Sequence, residues 1–220
     1  MTMKIKLYYV FILLVALIIL IPLFQVSLRS GIVLNALYTI VFIIVMYNLA
    51  RGITKSLYLI IVGVPWIILG WLGMVLENDF WIELAGATFM VLFFGYTGTL
   101  IFKYIAKSKE VTADTFSGAA CIYMFIGLTW TGVYTAVELI RPLSFQISSD
   151  STYQITRVSE LIYFSFTTLT TLGYGDISPA TSMAQSLAIL EAMTGVLYMA
   201  LIIGMLVGIY SSSSKRKSST

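Results

Sequence analysis

Long apolar runs, separated by short polar breaks, dominate the pattern along this chain of 220 residues. Six runs are each roughly 18 to 28 residues long, and a helix needs about 20 apolar residues to cross the hydrocarbon core of a bilayer. The pattern therefore predicts six membrane-spanning helices. They cover approximately residues 7–24, 32–50, 57–76, 80–102, 116–139 and 183–210.

A semi-polar stretch, 140–182, separates the last two runs and is too long for a simple turn. Within it, residues 158–169 are apolar enough to enter a membrane, but roughly 12 residues are too few to cross it. Residues 170–176 follow and read Thr-Thr-Leu-Gly-Tyr-Gly-Asp. Backbone that is not helical is tolerated at membrane depth only where protein or a water-filled path satisfies it. We therefore predict a re-entrant half-helix over 158–169, followed by an extended loop.

The composition supports a membrane protein, because 59% of the residues are apolar and only 10% are charged. A soluble domain carries about 25% charged residues to cover its surface. The composition excludes a cytosolic enzyme, a disordered regulator and a nucleic-acid-binding domain. The chain has no histidine and one cysteine, Cys121. It therefore lacks the commonest metal ligand and general base, as well as an intrachain disulfide. We expect no enzymatic activity, no cofactor and no nucleic-acid partner.

The basic residues favour a cytoplasmic N-terminus, because cytoplasmic loops of membrane proteins carry an excess of Lys and Arg. With six spans, ten basic residues then face the cytoplasm and three face outside, which accounts for all 13. The inner set is Lys4, Lys6, Arg51, Lys55, Lys103, Lys107, Lys109, Lys215, Arg216 and Lys217. The outer set is Arg29, Arg141 and Arg157. We expect a multi-pass protein of the cell (plasma) membrane with both termini in the cytoplasm.

The loop after the half-helix has a backbone suited to binding a bare cation. If the carbonyls of Thr171, Leu172, Gly173 and Tyr174 point toward one axis, the backbone needs unusual dihedral angles. Gly173 and Gly175 reach positive φ at low cost. Several chains around that axis would stack rings of oxygens that replace the water shell of a cation. The Thr171 hydroxyl would add one more ring at the inner end.

Residues 170–176 resemble the selectivity filter of the potassium channel family, and 163–179 resemble the pore helix and filter of its single-pore-loop prokaryotic members. Leu172 stands where valine or isoleucine is usual, but that position contributes its carbonyl, so we expect potassium selectivity to survive. The resemblance covers about 116–210. It implies an all-α membrane protein that assembles as a homotetramer, with four loops around one pore and K⁺ as the permeant ion.

The resemblance also implies residues that support the filter. Asp176 is expected to accept a hydrogen bond from the hydroxyl of Tyr163, which lies 13 residues earlier, and the alternative is an ordinary solvated loop carboxylate. Thr167 and Thr170 are the other expected supporting residues.

Three positions in the last span are candidates for gating. Glu191 is an acid inside a membrane helix, and such residues usually face a cavity or a partner. It would either form a cavity-facing ring that concentrates cations, or bond the threonines of the pore helix from behind the filter. Gly195 is either a hinge or a site of close helix packing. Gly204 would allow the inner end to bend or widen.

We divide the chain into a peripheral four-helix bundle over 1–110, a pore domain over 111–210, and a short basic cytoplasmic tail over 211–220. The fourth run has no basic residue, whereas voltage sensing uses several along one helix. The tail motif Lys215-Arg216-Lys217 is either a topology anchor or a contact for anionic lipid head groups.

The predicted function is a potassium-selective channel that is not voltage-gated. The alternatives are a weakly selective cation channel on the same scaffold, and a non-conducting modulatory subunit.

Overall fold

The structure is a computed structural model that describes residues 7–23, 29–50, 56–76, 79–108, 110–147 and 158–217. Within these ranges the chain forms seven helices and two short strands. The helices are α1 (Leu7–Leu23), α2 (Arg29–Ala50), α3 (Ser56–Val75), α4 (Phe80–Ala106), α5 (Ala113–Ile140), α6 (Val158–Leu169) and α7 (Ser182–Lys217). The strands are β1 (Phe145–Ile147) and β2 (Ile177–Pro179).

The described residues of the predicted apolar runs lie on helices except for Leu76, and the predicted half-helix is α6 with the same bounds. Two details differ from the sequence analysis. First, α7 continues to Lys217, so most of the predicted tail is helical, because nothing between Ser211 and Lys217 breaks a helix. Second, the mostly helical chain also contains a short two-stranded pair, β1 and β2, that the sequence analysis did not predict.

Four of the described helical segments are long and apolar enough to cross a membrane: Leu57–Val75, Phe80–Ala106, Ala113–Ile140 and Ser182–Ser211. Shorter apolar segments in α1 and α2 cover Leu7–Leu20 and Asn35–Tyr47. Four spans are therefore supported by length and composition, and the full set of six stays a prediction.

Side chains at two helix starts satisfy backbone groups that the helices leave unpaired. Asp79 precedes α4, and its carboxylate accepts from the amides of Trp81 and Ile82 at 3.0 Å each. Thr112 precedes α5 and forms a reciprocal capping box with Thr115. Such caps fix where a helix begins and each contributes about 0.5–2 kcal/mol.

The two short strands hold together the chain on either side of α6 and its loop. They pair antiparallel, with Phe145 opposite Pro179 and Ile147 opposite Ile177. Glu138, near the end of α5, accepts from the amides of Leu143 at 2.8 Å and Phe145 at 3.1 Å. The segment between α5 and α7 therefore begins and ends at the paired strands β1 and β2.

The main buried core joins α1–α4, which we call the peripheral helices, to α5. The rings of Trp66 and Phe93 stack at 5.4 Å between centroids, and Phe94 continues the contact to Phe125 at 5.5 Å. At one end of the bundle, the amide of Leu7 donates to Asp114 at 2.7 Å. The peripheral helices and α5 therefore share one packed interior.

Helix α5 packs tightly against α4 at Gly132, which gives a stability prediction. A Cβ at Gly132 would lie 2.8 Å from Cγ2 of Val91 and 3.1 Å from the carbonyl oxygen of Ala87. We expect Gly132→Ala to lower the free energy of unfolding by about 1–3 kcal/mol through overpacking. Gly95→Ala is the matched control, because its Cβ would lie 3.8 Å from Thr129. The control should raise stability by up to about 1 kcal/mol through helix propensity. Denaturant unfolding in detergent measures both, and equal effects would contradict the packing argument.

Candidate functional site

The loop predicted to bind a cation leaves α6 through a defined hydrogen-bonded turn. The amide of Thr171 donates to the carbonyl of Thr168 at 2.9 Å, and the amide of Leu172 donates to the carbonyl of Thr167 at 2.9 Å. This is the Schellman pattern of a helix C-terminus, in which the residue after the cap is left-handed. Thr171 has that conformation, with φ of 59°. A β-branched residue is rarely found there, so the surrounding contacts must hold this backbone.

The following loop has the glycine conformations that the sequence predicts. Gly173 and Gly175 have φ of 52° and 78°. The amide of Gly173 also donates to the Thr167 carbonyl, at 3.1 Å. Residues 170–176 are all exposed in the single chain, and the fractions are 54% for Leu172 and 68% for Tyr174. The loop therefore has a defined backbone conformation and lies on the surface of the single chain.

The Tyr163 hydroxyl donates to the Asp176 carboxylate at 2.7 Å, which is the pairing that the sequence predicts. The same carboxylate accepts from the amide of Ile177 at 3.0 Å. Asp176 therefore accepts hydrogen bonds from Tyr163, before the loop, and from Ile177, after it, and is not an ordinary solvated carboxylate.

The two predicted supporting threonines act on α6 itself. The hydroxyl of Thr167 donates to the carbonyl of Phe164 at 3.0 Å, and that of Thr170 donates to the carbonyl of Phe166 at 2.6 Å. Neither hydroxyl bonds a loop residue. Thr167 reaches the loop through its carbonyl, which accepts from Leu172 and Gly173.

The C-terminal end of α6 is anchored by both neighbouring helices. The hydroxyl of Tyr123 on α5 donates to the carbonyl of Leu169 at 3.1 Å. On the other side, a Cβ at Gly195 of α7 would overlap the carbonyl oxygen of Leu169. The structure therefore places Gly195 at a close helix contact, which is one of its two predicted roles.

Glu191 is fully buried and connects three helices. Its Oε2 accepts from the hydroxyl of Tyr134 on α5 at 2.5 Å, and its Oε1 lies 2.5 Å from Oγ of Ser165 on α6. This is the predicted position behind the loop. The cavity-facing alternative is not what the structure shows, and the hydroxyl partners are Ser165 and Tyr134 instead of threonines.

The hydrogen bonds around Glu191 require one proton more than the two hydroxyls supply. Ser165 Oγ lies 2.7 Å from the carbonyl oxygen of Gly127, which can only accept. If Ser165 donates to Gly127, the short contact with Glu191 is a hydrogen bond only when the carboxyl carries a proton. Every polar atom of the group is then satisfied.

The sequence analysis missed Tyr123, Tyr134 and Ser165, since nothing in their spacing separates them from ordinary helix residues. Gly204 lies on an exposed part of α7, where an added Cβ would meet nothing within 4 Å of the chain. The side chains of Lys215, Arg216 and Lys217 lie outside the described residues. Within the part of the chain that the structure describes, no group of three or more Cys, Asp or Glu residues could hold a metal ion.

Comparison with known protein families identifies this same region. A family model described as an ion channel matches residues 142–212, which include β1, α6, the loop, β2 and most of α7. No curated protein and no solved structure matches the chain. The match supports an ion channel family, and together with the four long apolar helices it supports a membrane-embedded protein.

The bond between Tyr163 and Asp176 gives a prediction for the loop. Tyr163→Phe removes a hydrogen bond to a charged acceptor, which contributes about 1.5–3 kcal/mol. We expect hydrogen–deuterium exchange at residues 171–177 to accelerate on the order of tenfold or more. Tyr96→Phe, which removes a hydroxyl from α4, is the matched control and should leave this exchange unchanged. Equal exchange in Tyr163→Phe and the unmodified chain would exclude a supporting role for this bond.

The proton at Glu191 gives a second prediction. The glutamine amide of Glu191→Gln can donate to Ser165 while its oxygen accepts from Tyr134, so stability should stay within about 1 kcal/mol of the unmodified chain. Glu191→Ala leaves the Tyr134 hydroxyl without its acceptor beside a cavity and should cost about 3 kcal/mol or more. Denaturant unfolding in detergent measures both variants. A large loss in Glu191→Gln would show that the buried carboxyl is ionised.

Proposed function

We propose that the chain is the subunit of a potassium-selective channel, in which K⁺ moves down its gradient through a pore shared by four copies. The observation that carries the proposal is the loop 171–175. Its two glycines have positive φ, its start is fixed by the end of α6, and its end is bonded to Tyr163 through Asp176. The loop has a defined backbone conformation and is exposed on the single chain. These properties are expected of a binding site that forms when neighbouring copies each contribute the same loop.

In this proposal the ion is bound by backbone oxygens. The carbonyls of Thr171, Leu172, Gly173 and Tyr174 from four chains form stacked rings, and the Thr171 hydroxyls form the innermost ring. Carbonyl rings replace the hydration shell of K⁺, so no side-chain carboxylate is needed. The negative C-terminal end of α6 further favours a cation at the inner side.

The surface of α7 supports assembly around a common axis. Ala184, Glu191, Gly195 and Ile202 are buried within the chain. Most other apolar residues of the helix are exposed, among them Ile189, Leu190, Met193, Val196, Leu197, Leu201, Ile203 and Val207. In a homotetramer these residues would line the pore and contact neighbouring copies. This explains why the longest apolar helix is the least covered one.

The proposed channel is not opened by voltage, since Phe80–Phe102 carries no basic side chain that could move in the field. We place its control at the inner helix: the buried Glu191 group, the close contact at Gly195, and a bend at Gly204. Lys215, Arg216 and Lys217 would hold the end of α7 at anionic lipid head groups of the cytoplasmic leaflet.

Flux through liposomes tests the proposal. Purified full-length protein, reconstituted with a potassium gradient, should give a K⁺ flux that barium blocks and that sodium does not replace. Equal fluxes of Na⁺ and K⁺ would identify a weakly selective cation channel. No flux from assembled tetramers at several pH values and lipid compositions would identify a non-conducting subunit.

Gly173→Ala tests the loop itself. An alanine at this positive φ costs roughly 1–2 kcal/mol and distorts the adjacent carbonyls. We expect selective K⁺ flux to fall at least tenfold while the tetramer still forms. Gly95→Ala is the control with the same substitution in α4, and its flux should match the unmodified chain. An unchanged flux in Gly173→Ala would refute the proposed path of the ion.

A further inference from the structure

A cleft of about 500 Å³ lies between helices α2–α4 on one side and α5 and α6 on the other. Its walls come from α2, α3, α4, α5 and the first residues of α6. A cleft of this volume is in the range that holds a drug-sized ligand. Three glycines, Gly70, Gly73 and Gly86, line it and leave its volume free of side chains.

The charged side chains that line the cleft are all acidic among the residues that the structure describes. They are Glu83 on α4 and Glu138 on α5. Glu138 is buried, and its two oxygens already hold the amides of Leu143 and Phe145. Glu83 is half-buried, and no described residue donates a hydrogen bond to its carboxylate. The positive end of the α4 dipole stabilises a carboxylate in this first turn, where it can pair with a cation.

The cleft is polar at one end and apolar at the other. Glu83 lies in the first turn of α4 and Glu138 in the last turn of α5, so both carboxylates are at the same end of the bundle. Met90 lies seven residues along α4 from Glu83, which places it roughly 10 Å deeper. The rings of Tyr38 and Trp66 also line the cleft. Aromatic faces attract organic cations as well as apolar groups.

We propose that this cleft binds an organic ammonium ion with a compact apolar body. The ammonium group pairs with Glu83 at the polar end, and the body packs among Trp66, Met90 and the aromatic rings. A carboxylate beside apolar walls selects against anions, which it repels, and against small hydrated metal ions, which need several more oxygen ligands. The inference does not depend on ion conduction, because it concerns a site outside the loop 171–175.

Binding of 2-phenylethylamine to the full-length protein in detergent tests the proposal, with isothermal titration calorimetry at neutral pH as the readout. The neutral analogue 2-phenylethanol has the same apolar body without the charge. We expect the amine to bind at least tenfold more tightly than the alcohol. Glu83→Gln should remove that difference, whereas Glu110→Gln, an exposed acid outside the cleft, should preserve it.

A second variant separates this cleft from the proposed pore. Gly86→Leu fills the cleft without changing any charge, since an added Cβ there makes only an ordinary contact with Leu69 at 3.8 Å. It should weaken binding of the amine and the alcohol at least tenfold. Amine binding that survives both Glu83→Gln and Gly86→Leu would overturn the proposal and assign the amine to another site, whether or not the protein conducts K⁺.

A lipid head group can supply the same ammonium chemistry. Competition by phosphatidylethanolamine, with phosphatidylglycerol as the control lipid, identifies the source. Loss of amine binding in phosphatidylethanolamine nanodiscs alone assigns the cleft to a lipid ammonium group. Equal amine binding in both lipids assigns it to a free amine. Equal binding of amine and alcohol to the unmodified protein would refute an ammonium site.

Discussion

The group of hydrogen bonds at Glu191 determines how α6 and the loop that follows it are held. A helix of 12 residues that does not cross the membrane has few contacts of its own, so its position depends on neighbours. Tyr134, Ser165 and Glu191 tie α5, α6 and α7 together in a fully buried place. Tyr123 and Gly195 then fix the end of α6, and the loop follows from that end. A buried polar group of this kind is stabilising only when it is completely satisfied.

The helices could be predicted from the sequence because their signal is strong and local. Residues 158–169 combine an apolar pattern with a length too short to span, and the helix has those bounds in the structure. The glycine conformations were also predictable from the residues of the loop, whereas the bond from Tyr163 to Asp176 was predicted from the resemblance to the potassium channel family. The partners of Glu191 were not, because Tyr134 is 57 residues away in sequence and its orientation depends on tertiary packing. The short strands escaped prediction because three residues carry no clear alternation.

The peripheral helices have no motif of their own, and the structure gives them two physical roles. They bury one side of α5 through the aromatic contacts of Trp66, Phe93, Phe94 and Phe125. They also enclose the cleft that ends at the first residues of α6. A ligand in that cleft would therefore lie beside Val158 and Leu161 at the start of α6, the short helix that precedes the loop. The cleft thus brings residues of α2–α4 next to α6 at a place outside the buried core that they share with α5.

The hydrogen bonds that shape the loop also determine the order in which the site can form. Thr167 bonds Leu172 and Gly173, and Tyr163 bonds Asp176, so these contacts span at most 13 residues of one chain. Contacts between near neighbours in sequence form quickly and need no partner molecule. The loop can consequently take its shape as each chain folds. In the proposed homotetramer, assembly would then join loops that are already shaped, and a chain that misfolds here would carry the fault into the complex instead of being corrected by its neighbours.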